Sequence, residues 1–226
     1  MLRLQRVLLA LLWACAGTLL AQSHLAEGVR ALPAHAAIVV MPPDVELFSL
    51  SAGGVPEPKA EWTAAAVQNL QEALRQRGDG SGASFVALAP GGGDRLAEVT
   101  RLHQAVARAI RQHHFGTWKL PSKGGRLDWS IGEGAAVIKD LTPADYALFI
   151  YYRDSYATAG RKATAVVYAA LGVGIPLGAQ IGYASLVDLK TGRILWFNEL
   201  AKGTGDLREL EPARKSLADL LKEFPG

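Results

Sequence analysis

Residues 145–153 read DYALFIYYR, and this stretch decides the fold. Aromatic and branched side chains dominate it, which is the composition of a strand. Two further apolar stretches, residues 182–188 (GYASLVD) and 193–199 (RILWFNE), stand on either side of a short polar turn that ends in Gly192. A glycine at that place can take the left-handed backbone conformation that closes a hairpin. The sequence therefore predicts a strand at 145–153 followed by a β-hairpin.

Strand and helix patterns alternate upstream of this stretch. Residues 34–41 (AHAAIVVM), closed by two prolines, predict a first strand, and residues 84–90 (SFVALAP) predict another. Apolar side chains at three- and four-residue steps predict helices over 59–77 and over 94–110. We expect residues 44–58, which contain two glycines and two prolines, to be an extended excursion or a loop.

The sequence predicts a helix at the C-terminal end. Its apolar stripe recurs at helical spacing and consists of Leu207, Leu210, Ala213, Leu217, Leu220, Leu221 and Phe224. A short helix is also expected over 134–139. This order of elements predicts the α/β class, with a mixed sheet of about five strands, helices packed on it, and a terminal β-hairpin followed by the C-terminal helix.

Residues 1–23 have the parts of a secretory signal peptide. Arg3 and Arg6 precede an apolar stretch that is too short to span a bilayer, and small residues follow it. We expect cleavage near residues 21–23 (AQS), where the spacing of small residues suits signal peptidase. Residues 34–226 are then expected to form a single α/β domain.

A second route of processing stays open. Residues 12–15 (LWAC) resemble the bacterial lipobox, in which the cysteine receives lipid and becomes the new N-terminus. Cleavage before Cys15 would therefore make the protein a lipoprotein of the outer membrane, facing the periplasm. With cleavage near residues 21–23, the expected location is the periplasm itself.

The mature chain carries almost no net charge. Arg3 and Arg6 leave with the signal peptide, so that 22 of the 24 basic residues remain against 21 acidic residues, a net charge of +1. No nucleic-acid partner is therefore expected, although the sequence pI is near 9.0. Cys15 is the only cysteine, so the mature domain has no disulfide and its stability must come from a packed core.

No recognisable catalytic, cofactor or metal motif appears, and we expect no catalytic residue, no cofactor and no metal. His113 and His114 are adjacent and would point about 100° apart on a helix, while His103 lies almost three turns earlier. A solvated helix end is the interpretation we prefer. Asp44 and Glu46 alternate along an extended stretch, as a hydrolase pair or a cation site would, but solvated outer-face positions explain them equally well.

Residues 163–187 contain no charged side chain at all. The length would suit a membrane span, but four glycines and Pro176 would break a spanning helix. We expect a short helix over about 163–171, a glycine-rich turn, and a first hairpin strand packed in the core. A segment that faces a membrane or a partner is the alternative.

The most polar stretch beside the predicted strand at 145–153 is residues 153–162, directly before this uncharged segment. It is either the rim of a partner-binding surface or a charged turn between two apolar segments. The candidate interaction surface combines both stretches and consists of Asp154, Tyr156, Arg161, Val166, Tyr168 and Ile175.

Several of these features together carry a resemblance. They are the signal peptide, an opening strand that ends in Met-Pro-Pro at 41–43, the segment ADYALF at 144–149, and the phrase Leu-Val-Asp-x-x-Thr-Gly-x-Ile-x-Trp from Leu186 to Trp196. The chain resembles small α/β envelope proteins of Gram-negative bacteria: the curli-export lipoproteins, the penicillin-binding-protein activator lipoproteins and the N-terminal domain of the Tol-Pal translocation protein. It is similar also to uncharacterised exported proteins of proteobacteria. The resemblance implies an assembly or accessory role and transfers no site.

We therefore expect an exported, non-enzymatic cell-envelope protein that acts by binding or assembly with other envelope components. Its partner would be another envelope protein or a second copy of itself. The alternative is a periplasmic enzyme of unrecognised type, most naturally a hydrolase, whose site is assembled only in three dimensions.

Overall fold

The computed structural model describes residues 24–78, 84–86, 88–203 and 205–226. The predicted signal peptide and Cys15 lie outside these residues, so their processing stays a prediction. The strands are β1 (Ala37–Val40), β2 (Asp44–Leu50), β3 (Pro56–Pro58), β4 (Ser84–Val86), β5 (Tyr146–Ala157), β6 (Gln180–Asp188) and β7 (Ile194–Lys202). The α-helices are α1 (Ala60–Gly78), α2 (Gly93–Ile110), α3 (Ala135–Lys139), α4 (Ala159–Ala170) and α5 (Leu210–Leu220).

The twelve-residue strand β5 organises the sheet. Two parallel strands share one of its edges, because β1 pairs with its first part (Val40 beside Leu148) and β2 with the rest (Asp44 beside Tyr151). The chain moves from β1 to β2 through Pro42 and Pro43, which cannot donate ladder hydrogen bonds. β6 pairs antiparallel with the other edge of β5, and β7 pairs with β6.

Side chains of β5 alternate between two hydrophobic layers. Leu148 and Tyr152 belong to the layer that α1 and α5 cover, while Ala147 and Phe149 belong to the layer that α2 and α3 cover. This alternation follows from the two-residue period of a strand. Burying both faces of β5 explains why its sequence is a nearly continuous apolar run. Each fully buried aliphatic or aromatic side chain stabilises the fold by about 1.5–3 kcal/mol relative to an exposed one.

The predicted fold class is confirmed. The sheet is mixed, helices pack on it, and the β6–β7 hairpin precedes the C-terminal helix α5. Gly192 has the left-handed conformation predicted for the hairpin turn, with φ of 69°. A side chain there would also collide with the backbone of Gly132, so two independent reasons require glycine at this position.

Two parts of the fold differ from the sequence prediction. Residues 44–58 form strands β2 and β3, which raises the number of strands to seven, because alternate residues Val45 and Leu47 face the core while β2 pairs along β5. Residues 153–157 continue β5 and do not form a charged turn. The strand extends there because β2 pairs with it as far as Ala157, while β6 pairs with its other edge as far as Asp154.

Candidate functional site

The largest exposed apolar feature of the described residues is a projection formed by residues 163–179, which we call the α4 arm. Among ten large apolar side chains that are exposed in the described part of the chain, six belong to this arm. Val166 is 71% exposed, Val167 61% and Leu171 74%. These exposures depart from the usual placement of branched aliphatic side chains, which favour the interior.

The arm stands away from the body of the protein. No residue of α4 is buried, and every position from 166 to 174 is exposed. A helix that lay on the sheet would bury one side chain in every three or four, as α1 does with Ala66, Leu70, Ala73 and Leu74. The second half of α4 therefore has no face packed against the domain.

The base of the arm is firmly anchored at the end of β5. The Thr158 hydroxyl caps α4 by accepting from the backbone N–H of Arg161 at 3.2 Å, and it donates to the carbonyl oxygen of Leu50 at 2.8 Å. The returning chain is fixed by two backbone bonds, from the N–H of Ala157 to Leu177 O at 2.8 Å and from the N–H of Ser155 to Ala179 O at 3.1 Å. The arm is thus exposed but held at both ends.

A Schellman motif ends the helix. Gly172 has φ of 78°, and its N–H donates to Ala169 O at 3.0 Å, while the N–H of Val173 donates to Tyr168 O at 2.9 Å. These bonds satisfy two carbonyl groups that would otherwise be unpaired at a helix end. Because Gly172 supplies the left-handed conformation without steric cost, the sequence specifies where α4 stops.

The turn between β2 and β3 extends the apolar surface at the base of the arm. The Arg161 guanidinium reaches across to Ala52 O at 3.5 Å and also donates to Pro176 O from Nε at 3.2 Å and from Nη2 at 3.1 Å. Val55, which is 62% exposed, belongs to this turn. Arg161 therefore ties together the turn, the start of α4 and the returning chain.

A buried hydrogen-bond network lies beneath the base of the arm. One carboxylate oxygen of Asp154 accepts from the Tyr156 hydroxyl and from Gln180 Nε2, both at 2.6 Å, and the other accepts from the N–H of Ser155 at 2.8 Å. The Tyr156 hydroxyl accepts in turn from the N–H of Leu207 at 2.9 Å. Burial raises the pKa of Asp154, although its three donors act in the opposite direction.

A cleft of 520 Å³ opens above this network. The Arg208 guanidinium carbon lies 4.6 Å from the Trp62 ring centre and 4.0 Å from that of Tyr156. Asp206 holds the same guanidinium through two oxygens, at 2.8 and 2.6 Å. The cation is thus already engaged by two rings and a carboxylate, and the Asp154 carboxylate is 2% exposed and fully occupied by donors. The cleft therefore presents no free acid or base from these groups.

The histidines are placed differently from the sequence expectation of a solvated helix end. His103 and His114 are buried, with exposures of 2% and 3%. His103 stacks on Phe149 at 3.7 Å, and its Nε2 lies 2.6 Å from the Ser185 hydroxyl. Burial lowers the pKa of His103 to about 3, so the imidazole stays neutral and packs as an apolar ring. Ser185 is also fully buried, so this pair has no access to a substrate.

Asp44 and Glu46 lie side by side as the alternation predicted, and Arg153 pairs with both. The guanidinium approaches Asp44 at 2.8 Å and Glu46 at 3.4 Å across the β2–β5 register. This arrangement is a cross-strand ion pair that holds two strands together. Within the described ranges, no group of three His, Cys, Asp or Glu side chains could hold a metal ion.

The predicted interaction residues divide into two groups. Val166 and Tyr168 are exposed on the arm, and Ile175 and Arg161 are half-buried in its loop and base. Asp154 is a correction, because it lies beneath the surface, and Tyr156 is half-buried and bonded to it. Both belong to β5, whose alternation directs Asp154 inward to Gln180 and away from solvent.

Sequence reasoning missed four exposed apolar residues of the arm. Val167 and Leu171 are exposed beside Val166, and Val173 and Leu177 follow in the loop. The expected short helix at 163–171 exists as α4, which has no buried residue, and the first hairpin strand β6 is in the core as predicted. The available signal was the lack of any polar face: residues 165–171 read AVVYAAL.

Comparison with known proteins yields solved structures only. No family model and no curated protein matches the chain. The LpoB C-terminal domain from Salmonella enterica is 15% identical, with 78% of this chain and 87% of that chain covered and a TM-score of 0.32. Lipoprotein GNA1162 from Neisseria meningitidis is 14% identical, with 81% and 96% covered and a TM-score of 0.33.

A third similar structure is the PelC dodecamer from Paraburkholderia phytofirmans, 11% identical, with 87% of this chain and 93% of that chain covered and a TM-score of 0.36. The likeness concerns the fold alone, and at these TM-scores it carries no conclusion about a site or a partner.

Proposed function

We propose that this protein is an exported cell-envelope component that acts by binding other envelope components, with the α4 arm as its contact surface. Residues 1–23 are the signal peptide in this proposal, and residues 34–226 form one α/β domain in the periplasm, or at the outer membrane if Cys15 is lipidated. The observation that carries the proposal is the run of exposed positions from 166 to 174 on an anchored base. The mode of action in this proposal is binding without catalysis, which the apolar character of the surface supports.

The energy available at the arm is large enough for binding. Complete burial of a valine or leucine side chain is worth about 1.5–3 kcal/mol. Val166, Val167 and Leu171 are each exposed over 61–74% of their surface, so covering the three would contribute about 3–6 kcal/mol. Before the entropic cost of association, that corresponds to a gain of about two to four orders of magnitude in affinity.

In-cell photocrosslinking tests the proposal. A photoreactive amino acid would replace Val167 in the full chain, expressed in the organism that makes it, and Leu102 on α2 would be replaced in the matched control. Leu102 is an exposed leucine outside the arm. We expect defined adducts from position 167, with protein or with lipid, and few or none from position 102. Equal labelling at the two positions would contradict the proposal.

A further inference from the structure

We propose that the α4 arm inserts into one leaflet of a lipid bilayer, which names the partner of the proposed contact surface and rests on that function. The first argument is that the exposed end of α4 has no polar side opposite its apolar side. Successive helical residues point about 100° apart, so positions 166–171 cover every direction around the helix axis. All six are exposed, and all six are apolar or aromatic.

This distribution distinguishes lipid from a flat protein partner. A helix that docks on another protein surface buries one stripe and keeps polar residues on the other side. A helix that is apolar all round is typical of a surrounding apolar medium. Pairing of two α4 helices would cover only their facing sides and would leave the remaining valine and leucine side chains in water.

The length of the exposed apolar part fits within one leaflet. Residues 166–171 are exposed and without a charge, and at 1.5 Å per residue they extend about 9 Å. The hydrocarbon core of a bilayer is about 30 Å thick, so the helix would end inside the first leaflet, which is about 15 Å deep. No helix in the described part of the chain is long and apolar enough to span a membrane, and insertion into one leaflet does not require one.

Two parts of the arm's backbone, the helix end and the base of the returning loop, already have bonded carbonyl groups. Unpaired carbonyl groups are costly in hydrocarbon. The Schellman motif already occupies the carbonyls of Tyr168 and Ala169 at the helix end. In the returning loop, Pro176 O accepts from Arg161 and Leu177 O accepts from Ala157 N–H.

The charges stand where lipid headgroups would be. Lys162 is exposed and follows Arg161, and both stand directly before the uncharged stretch that begins at residue 163. Between Asp154 and Asp188 the chain has no acidic residue. A cationic base beneath an uncharged arm is complementary to phosphate groups and avoids repulsion by an anionic surface.

Depth-sensitive fluorescence tests the insertion. The chain has a single cysteine, so a Cys15→Ala background removes both the possible lipid anchor and the only competing thiol. In that background, Val167→Cys and the matched control Leu102→Cys would each carry an environment-sensitive fluorophore. The probe surface is vesicles of phosphatidylethanolamine and phosphatidylglycerol. We expect a blue shift, with quenching by lipid-attached quenchers, at position 167 and not at position 102.

A charge substitution supplies the second readout. Val167→Glu should lower the vesicle-binding constant at least about tenfold, because losing one buried valine already corresponds to about that factor. Leu102→Glu should leave binding unchanged. Circular dichroism and thermal unfolding would establish that both variants are folded.

The outcomes separate this inference from the proposed function. Shielding of position 167 without vesicles, together with a doubled mass by light scattering, would overturn lipid insertion in favour of a second copy and leave the contact surface intact. A water-exposed fluorophore at 167 in the presence of vesicles, with photocrosslinks to a protein in cells, would also overturn insertion alone. A water-exposed fluorophore with no specific crosslink would overturn both.

Discussion

Removal of the Tyr156 hydroxyl should destabilise the domain by about 3 kcal/mol. In Tyr156→Phe the ring stays between its neighbours, but Asp154 loses a donor at 2.6 Å and the N–H of Leu207, which is fully buried, loses its acceptor at 2.9 Å. A hydrogen bond to a charged group contributes about 1.5–3 kcal/mol, and an unsatisfied buried amide costs about 1–3 kcal/mol. Tyr168→Phe, at an exposed tyrosine of the arm, is the matched control and should change stability by less than about 0.5 kcal/mol.

The destabilisation caused by Tyr156→Phe should become smaller as the pH falls. The bond from Tyr156 lowers the pKa of Asp154, against the upward effect of burial. The part of the stability that this bond gains from the charge of Asp154 is therefore present above the folded pKa of that carboxyl and is lost as the pH falls through that pKa. Urea unfolding of wild type and Tyr156→Phe at pH 7 and again towards pH 4 should show a smaller difference at the acidic end. A difference below about 1 kcal/mol at pH 7, or one that grows on acidification, would refute the reasoning.

Three further outcomes are expected from urea unfolding. Serine at both Val167 and Leu171 should change the free energy of unfolding by less than about 0.5 kcal/mol, whereas Leu148→Ala in the core should cost about 2–5 kcal/mol; a large loss from the arm variant would mean that α4 packs on the domain. The pKa of His103 falls to about 3 on folding. The free energy of unfolding of wild type should therefore decrease by about 1.4 kcal/mol per pH unit below about pH 6 because of this residue. His103→Gln should lack that decrease, and identical pH profiles of the two proteins would contradict the expectation. Gly192→Ala should cost more than about 3 kcal/mol, since it adds both a left-handed strain and a collision with a neighbouring loop; a loss under about 1 kcal/mol would exclude that packing.

Strong local patterns predicted most of the sheet, but pairing between distant segments did not follow from them. β5 and the β6–β7 hairpin were predictable because their apolar runs and the Gly192 turn are local signals. The sequence did not predict β2 as a strand. Its two inward residues, Val45 and Leu47, are buried only because the strand pairs with the second half of β5. Pro56 and Pro58, which suggest a loop there, belong to the short strand β3, which pairs antiparallel with β2.

Side-chain burial was less predictable than element type. His103 takes the core position on α2, with Val99, Ala107 and Ile110, while Leu102 is exposed. A neutral imidazole can pack as a ring, so hydropathy alone does not identify the buried position. The α4 arm shows the same difficulty, because a helix without a polar face is compatible with burial on all sides and with exposure on all sides.

The most direct test of a contact role for the α4 arm is the reactivity of a thiol at position 167, in a Cys15→Ala background, in the purified protein and in the intact envelope. Val167→Cys should react quickly with a polar maleimide in the purified, vesicle-free protein and should be protected in the envelope of permeabilised cells, while Leu102→Cys reacts in both. Equal reactivity of position 167 in both settings would show that nothing covers the arm. Protection already in the purified monomer would show that the arm packs on its own domain.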